Sequence, residues 1–230
     1  MAEKDAVTTE FPTDWQHAVI LVAHPDDPEY GMAAAVARWT REDKRVDYVL
    51  ASSGEAGIEG LDPVECGPLR EDEQRRAGAQ VGVTDIDFLG LPDSRLANDE
   101  HTRELVRREL EARRPDVAIV TYRGPEWAPG APNQSDHIEF GNACVEAIAA
   151  LPEDVRPRWV FENDPTYTHI VTVSREDVEA AVRSLAEHDR YLSVLDPSTP
   201  VDEQARAVVD QSCRVDDEGQ TYVGFALVEV

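Results

Sequence analysis

His24-Pro25-Asp26-Asp27 crowds one imidazole and two carboxylates into four consecutive positions. His24 and Asp27 are three residues apart, so a turn can aim both at one point. An imidazole nitrogen with a carboxylate oxygen suits zinc and related divalent metals. Asp26 is then left over, and a free carboxylate beside a metal is what a hydrolase needs as a base toward water. Pro25 and Pro28 stiffen the turn. A helix N-cap, with Asp27 satisfying first-turn amides, accounts for the same residues equally well. A metal site needs a third ligand, and Asp136-His137 offers one. His137 can close a His/Asp/His set that leaves a position open for water, while Asp136 can orient a ligand from behind. A lone histidine before a helix is more often structural, so His137 matters only if the fold brings the two segments together.

The elements around these residues predict that meeting. His17 to Ala23 (HAVILVA) is a short apolar run of the kind a buried parallel strand uses. Further strands are expected at Val46 to Ala51, Ile86 to Leu91 and Val117 to Tyr122. Between them the spacing predicts helices over 29–42, 69–81 and 101–114, and a fourth over 138–150. Residues 54–68, with four Gly and two Pro, read as a loop, as do residues 123–136 with three Pro. Right-handed crossovers turn this alternation into a Rossmann-like, doubly wound, mainly parallel α/β sheet flanked by helices. Ligands bind such sheets beyond the carboxyl ends of the strands. AHPDDPEYG, SSGEAG, GLPDS and the loop ending QSDH therefore share one rim. Later segments read as strands at Arg158 to Phe161 and Thr168 to Val173, helices over 175–195 and 201–213, and a last strand from Tyr222 to Val230. Ser174 can cap the 175–195 helix, with Asp177 standing where a full capping box prefers Glu or Gln. Residues 1–16 read as a polar, loosely held leader, and 17–230 as one domain.

Composition limits the function classes. Of 230 residues, 41% are hydrophobic and 30% charged, so a globular core is feasible. With 47 acidic against 22 basic residues the net charge is −25. That disfavours nucleic acid and anionic membrane surfaces as partners. The abundance of acids and only two lysines, Lys4 and Lys44, suggest either a coding bias or adaptation to salt. A homo-oligomer is neither required nor excluded by this acidity. No apolar run in the first third approaches a bilayer span and the N-terminus lacks a signal pattern, so the expected location is cytoplasmic. Cys66, Cys144 and Cys213 are far apart and form no CxxC pair, which indicates neither a zinc knuckle nor a disulfide framework.

The run VAHPDDPEYG resembles the signature of the LmbE-like, or PIG-L, family of metal-dependent N-deacetylases. SGEAG resembles that family's Gly-Glu loop. LREDEQRRAGAQVGVTDIDFLGLPDS resembles its R-x-x-E helix followed by a strand ending in Leu-Pro-Asp. SDH before a helix resembles its second metal motif, and AVRSLAEHDRYL a later helix carrying a histidine. The similarity spans roughly residues 17–195. It implies that His24, Asp27 and His137 hold Zn2+, or another divalent metal such as Fe2+, and that Asp26 is the general base. It further implies that Arg70, Asp93 and Glu55 hold polar parts of a small N-acylated substrate, often sugar hydroxyls. The plainer readings are an Arg70–Glu73 helix pair, a turn aspartate beside Pro92 and a solvated loop acid.

One position departs from the family pattern. Many members read H-x-D-H in the second motif, and here the first position is Gln134. A glutamine amide can donate to an oxyanion but cannot shuttle a proton at neutral pH. Acid assistance then falls to Asp26, returning the proton it took, or to His188 in the late helix. The expected activity is hydrolysis of a linear amide, foremost N-deacetylation of a small amino-sugar conjugate or glycosylated metabolite. A thiol-conjugate amidase or a natural-product tailoring deacetylase would use the same site. A metal-containing binding protein without turnover is the alternative from another class.

Overall fold

The structure, a computed structural model, describes residues 8–230. Among these, the strands are β1 (Thr9–Glu10), β2 (His17–Val22), β3 (Arg45–Leu50), β4 (Ile86–Phe88), β5 (Val117–Val120), β6 (Glu126–Ala128), β7 (Ala131–Pro132), β8 (Trp159–Glu162), β9 (His169–Val173), β10 (Arg214–Val215) and β11 (Thr221–Leu227). The helices are α1 (Ala33–Arg41), α2 (Pro63–Gln80), α3 (Glu100–Arg113), α4 (Ser135–Ala149), α5 (Arg175–Ala186), α6 (Asp189–Leu195) and α7 (Val201–Ser212).

The sheet runs β1-β9-β11-β8-β5-β2-β3-β4. From β8 to β4 every pairing is parallel. Successive residues of β2 supply opposite faces. Ala18, Ile20 and Val22 pack with Val36, Trp39 and Leu185 on the α1/α5 side, while Val19 and Leu21 pack with Leu110, Phe140 and Ile148 on the α3/α4 side. Coverage on both faces is why this strand is an unbroken apolar run rather than an alternating one. The chain steps from β2 to β3 on one side and reaches β5 on the other. A crevice therefore opens at the carboxyl ends of β2 and β5.

Several local expectations change. Residues 9–16 are not loosely held: β1 pairs in parallel with β9, and Phe11 and Trp15 are 4% and 2% exposed in the core. Residues 1–7 lie outside the described residues. Beyond β8 the sheet is mixed, because β11 runs antiparallel to both β8 and β9. α2 begins at Pro63 instead of residue 69. Asp62 accepts the Val64 amide at 2.9 Å, Pro63 stands at the first helical position where it has no N–H to lose, and Pro68 is accommodated inside. The 123–136 loop contains the small β6–β7 hairpin. The capping box at Ser174 is complete, since Asp177 accepts the Ser174 amide at 2.8 Å and donates its own to Ser174 Oγ at 3.2 Å. The 175–195 helix breaks into α5 and α6, with His188 as the N-cap of α6. Among the described residues no helix is long and apolar enough to cross a membrane.

Candidate active site

A cavity of about 540 Å³ occupies the crevice, lined among others by His24, Asp26, Asp27, Arg70, Asp93, Gln134 and His137. The sharp turn after β2 delivers the first three. Asp27 folds back so that its Oδ2 accepts the amides of Ala23 and His24 at 3.0 and 2.9 Å. The N-terminal turn of α4 delivers Asp136 and His137 from beyond β5.

His24, Asp27 and His137 each offer one ligand atom, all within 4.8 Å of one another. Neighbours fix both imidazoles. Asn133 Nδ2 donates to the carbonyls of Tyr122 and Gly124 at 2.8 Å each, so its Oδ1 is the acceptor that meets His137 Nδ1 at 2.9 Å. With the hydrogen on Nδ1, the Nε2 lone pair points at Asp27 Oδ1, 3.1 Å away. Two acceptors at that distance need a cation between them, either a proton or a metal. On the other ring, His24 Nε2 lies 3.2 Å from Asp136 Oδ2 and 3.2 Å from Asp93 Oδ1, and Nδ1 faces Asp27 at 3.8 Å. A carboxylate behind a histidine is how metal-ligating imidazoles are oriented. His24, Asp93 and Asp136 also bring one ligand atom each within 4.8 Å of one another, but there the acids approach the nitrogen that they orient.

The electrostatics agree with a cation site. Burial disfavours a charged His24, yet hydrogen bonds to Asp136 and Asp93 and the charge of Asp27 outweigh it and raise the pKa to about 10. His137 is raised too, burial being outweighed by Asp27. Asp27 is held well below the usual carboxylate range, because His137 and His24 overcome its burial. Both imidazoles thus sit in a surplus of carboxylate, which a divalent ion can neutralise. The donor set, its orientation and its charge thus fit a divalent metal.

Asp26 stays outside the donor group. Burial, together with Asp27, pushes its pKa up to about 6, against the lowering influence of Arg70, His188 and His24. Arg70 is 3% exposed. It donates to Pro25 O at 2.6 Å and Gly54 O at 3.2 Å, and its Nη2 lies 3.4 Å from Asp26 Oδ2. Gly54 has φ 62°, and a Cβ there would stand 2.2 Å from Arg70 Nη1. Glycine in the SGEAG loop therefore serves both the turn and the guanidinium. Asp93 accepts the Ala56 amide at 2.8 Å. Glu55 is absent from the cavity wall, and its carboxylate accepts the Asp93 amide at 2.9 Å. Glu55 thus holds the loop that carries Asp93. Gln134, the N-cap of α4, makes no side-chain cap and stands exposed at the wall. His188 is fully buried and does not line the cavity, which removes it as a proton donor to substrate.

Other wall residues escaped the sequence reading. Asn163 follows β8 at its carboxyl end, a position that the strand-end rule could have flagged. Gly31 lets it approach, since a Cβ there would meet Asn163 Nδ2 at 1.9 Å. Tyr191 reaches the wall only because the helix breaks before α6, and its ring lies 4.3 Å from the Arg70 guanidinium carbon. Asn133 carried no signal, because its role depends on the β6–β7 hairpin.

The fold and site together define a Rossmann-like α/β protein with a buried His/Asp cluster that could hold a metal ion at its switch point. The chain belongs to the GlcNAc-PI de-N-acetylase (PIG-L) family, whose profile matches residues 19–148. It is 29% identical over 170 residues to a Bacillus subtilis (strain 168) protein named "Probable N-acetyl-alpha-D-glucosaminyl L-malate deacetylase 2", the match covering 71% of each chain. The N,N′-diacetylchitobiose deacetylase of Pyrococcus horikoshii superposes with a TM-score of 0.78 at 19% identity, covering 94% of this chain and 84% of that one. The 4-carboxy-2-hydroxymuconate hydratase GalB of Pseudomonas putida KT2440 superposes with a TM-score of 0.66 at 17% identity, covering 94% and 97%. At these identities the superpositions speak for the fold. A hydratase on the same fold means that the reaction must be argued from the site.

Proposed function

We propose that this protein is a metal-dependent amide hydrolase that removes the N-acetyl group from a small amino-sugar conjugate. The observation that carries the proposal is a spare buried carboxylate, Asp26, beside the oriented His24/Asp27/His137 donor group in one cavity. A divalent metal there, zinc or another ion such as Fe2+, would supply Lewis-acid polarisation of the amide and acidification of water. Asp26 takes the proton from the attacking water as general base. Arg70 braces the Asp26 carboxylate. Gln134 donates to the carbonyl oxygen as it gains charge. Asp26 then returns its proton to the departing amine, the task for which His188 is out of reach. Asp93 and Arg70 face the polar end of the substrate, and Glu55 keeps Asp93 in place. A cavity of about 540 Å³ is the size of site that takes a conjugate of one or two rings. Residues 17–230 act as one catalytic unit with residues 9–16 tied to its edge, and the reading places the reaction in the cytoplasm.

The test is release of acetate and free amine from N-acetyl-α-D-glucosaminyl L-malate and from N,N′-diacetylchitobiose. Protein is assayed as purified, after stripping with a chelator, and after reloading with Zn2+ or Fe2+. The expected result is turnover of at least one substrate, lost on stripping and restored by metal. Metal-loaded protein that releases neither product from either substrate would leave a binding role in its place.

A further inference from the structure

Asp26 holds a backbone conformation that a residue with a side chain rarely adopts, with φ at 89°. Such a residue persists only where its surroundings over-determine it, and such outliers cluster at functional sites. The Asp26 carbonyl accepts the amides of Glu29 and Tyr30 at 2.8 and 3.2 Å, and its own amide is held from the side away from the cavity. Gln74 of α2 accepts the Asp26 amide through Oε1 at 2.8 Å. The Gln74 Nε2 sits 3.2 Å from each oxygen of Glu29. The amide of Gln74 is therefore oriented from both ends, with its donor toward a carboxylate and its acceptor toward a main-chain N–H.

Glu29 is anchored in turn. Ser184 Oγ of α5 lies 3.1 Å from Glu29 Oε1 and 2.8 Å from Ala77 O. His188 Nε2, at the break between α5 and α6, lies 3.4 Å from Glu29 Oε2. Gln74, Ser184 and His188 are 0% exposed and Glu29 is 1% exposed. A buried carboxylate and its polar neighbours are expensive to keep away from water. This set does not line the cavity, and it meets the site through the Asp26 main chain: Gln74 takes the Asp26 amide, and the Glu29 amide donates to the Asp26 carbonyl at 2.8 Å.

We propose that Gln74, oriented by Glu29, is a positioning residue for the hydrolytic step. It fixes the Asp26 main chain so that the carboxylate, braced from the cavity side by Arg70, meets the attacking water. The inference rests on the reading of Asp26 as the general base. Positioning of this kind is steep, since displacement of a reacting group by about 1 Å can cost on the order of 10²-fold in rate.

The experiment compares wild type, Gln74→Met and Gln74→Glu, each alone and with Asp26→Asn, using N-acetyl-α-D-glucosaminyl L-malate or N,N′-diacetylchitobiose, whichever wild type turns over faster. Metal content and hydrogen exchange at the Asp26 amide are measured on the same proteins. Gln74→Met should lower kcat about 10–100-fold, with KM within about twofold and metal content unchanged. Gln74→Glu keeps an acceptor oxygen for the Asp26 amide but sets a second carboxylate against Glu29, so it should recover most of the lost kcat only when combined with Glu29→Gln, which returns a donor to that contact. In the Asp26→Asn background the further loss from Gln74→Met should shrink below about twofold, because the two residues act as a unit. Exchange at the Asp26 amide should quicken at least about tenfold in Gln74→Met, as an opened hydrogen bond requires. If Gln74→Met does not accumulate, Gln74→Asn, one methylene shorter, carries the same expectations. An equal kcat loss in both backgrounds, or metal lost in parallel with activity, would overturn the proposal. Failure of wild type on both substrates would count against the deacetylase reading instead. The exchange measurement would then decide the positioning claim, and an unchanged Asp26 amide would end it.

Discussion

Asn133 Oδ1 meets His137 Nδ1 at 2.9 Å, and this contact turns the other ring nitrogen toward Asp27. Asn133 is itself held by the carbonyls of Tyr122 and Gly124, so a loop with no ligand of its own sets the tautomer of one. Asn133→Leu removes the acceptor and should weaken metal binding about 10–100-fold, the usual effect of losing such a partner. Asn133→Asp should keep most of the affinity. Competition of each variant with a chromophoric chelator for Zn2+ measures this. Equal affinity in Asn133→Leu and wild type would mean that His137 needs no orientation.

Gln134 bears on proton transfer. A histidine acting as an acid titrates near about 6.5 when unperturbed, whereas a glutamine has no proton to lose in that range. Gln134→His should introduce a basic-side decline in the pH profile of kcat/KM that wild type lacks at this position. Profiles of identical shape, with metal retained, would show that residue 134 takes no part in proton transfer.

Arg70 divides its guanidinium between two main-chain carbonyls and Asp26. A lysine keeps the charge but cannot bridge both carbonyls. Arg70→Lys should therefore lower kcat about tenfold, a loss of about 1.4 kcal/mol of transition-state stabilisation, with KM within about threefold. A rise in KM with kcat unchanged would confine Arg70 to substrate binding and remove it as the brace of Asp26.

The rim was legible because its signals are local. A strand end followed by His24-Pro25-Asp26-Asp27, and a helix start carrying Asp136-His137, combine apolar patterning with chemistry-bearing residues a few positions apart. The crossover rule then brought the two segments together. What escaped was set by distant packing. Phe11 and Trp15 look like part of a polar leader until β9 and Trp39 are there to receive them. Gln74 and Glu29 look like surface residues of two helices until α5 covers them. His188 reads as a candidate acid because nothing local shows that α5 ends two residues before it and that the ring is buried.

At the opposite end of the sheet, Asp47 is 1% exposed and meets His17 at 2.9 Å, Arg45 at 2.8 Å and Arg113 at 2.7 Å. Burial opposes its ionisation, but those hydrogen bonds outweigh it and lower the pKa from 3.8 to about 2. A depressed carboxylate pKa stabilises the fold above its unfolded value, and the contribution fades as pH falls through the folded one. Asp47→Asn should therefore cost about 2 kcal/mol near pH 7. The gap from wild type should narrow as pH drops from about 4 toward about 2. Urea unfolding of both proteins at neutral and acid pH checks this, and a gap independent of pH would contradict it.

The central claim is that Asp26 is the base and not a ligand. Asp26→Asn keeps the shape of the side chain, its amide still meets Gln74, and none of the three donor residues is altered. The decisive measurement is kcat together with bound metal per chain, for wild type and Asp26→Asn on the same N-acetylated sugar conjugate. The expected result is unchanged metal with kcat lowered about 10²–10⁴-fold, the range a general base supplies. Hydrolysis at the wild-type rate with metal in place would contradict it.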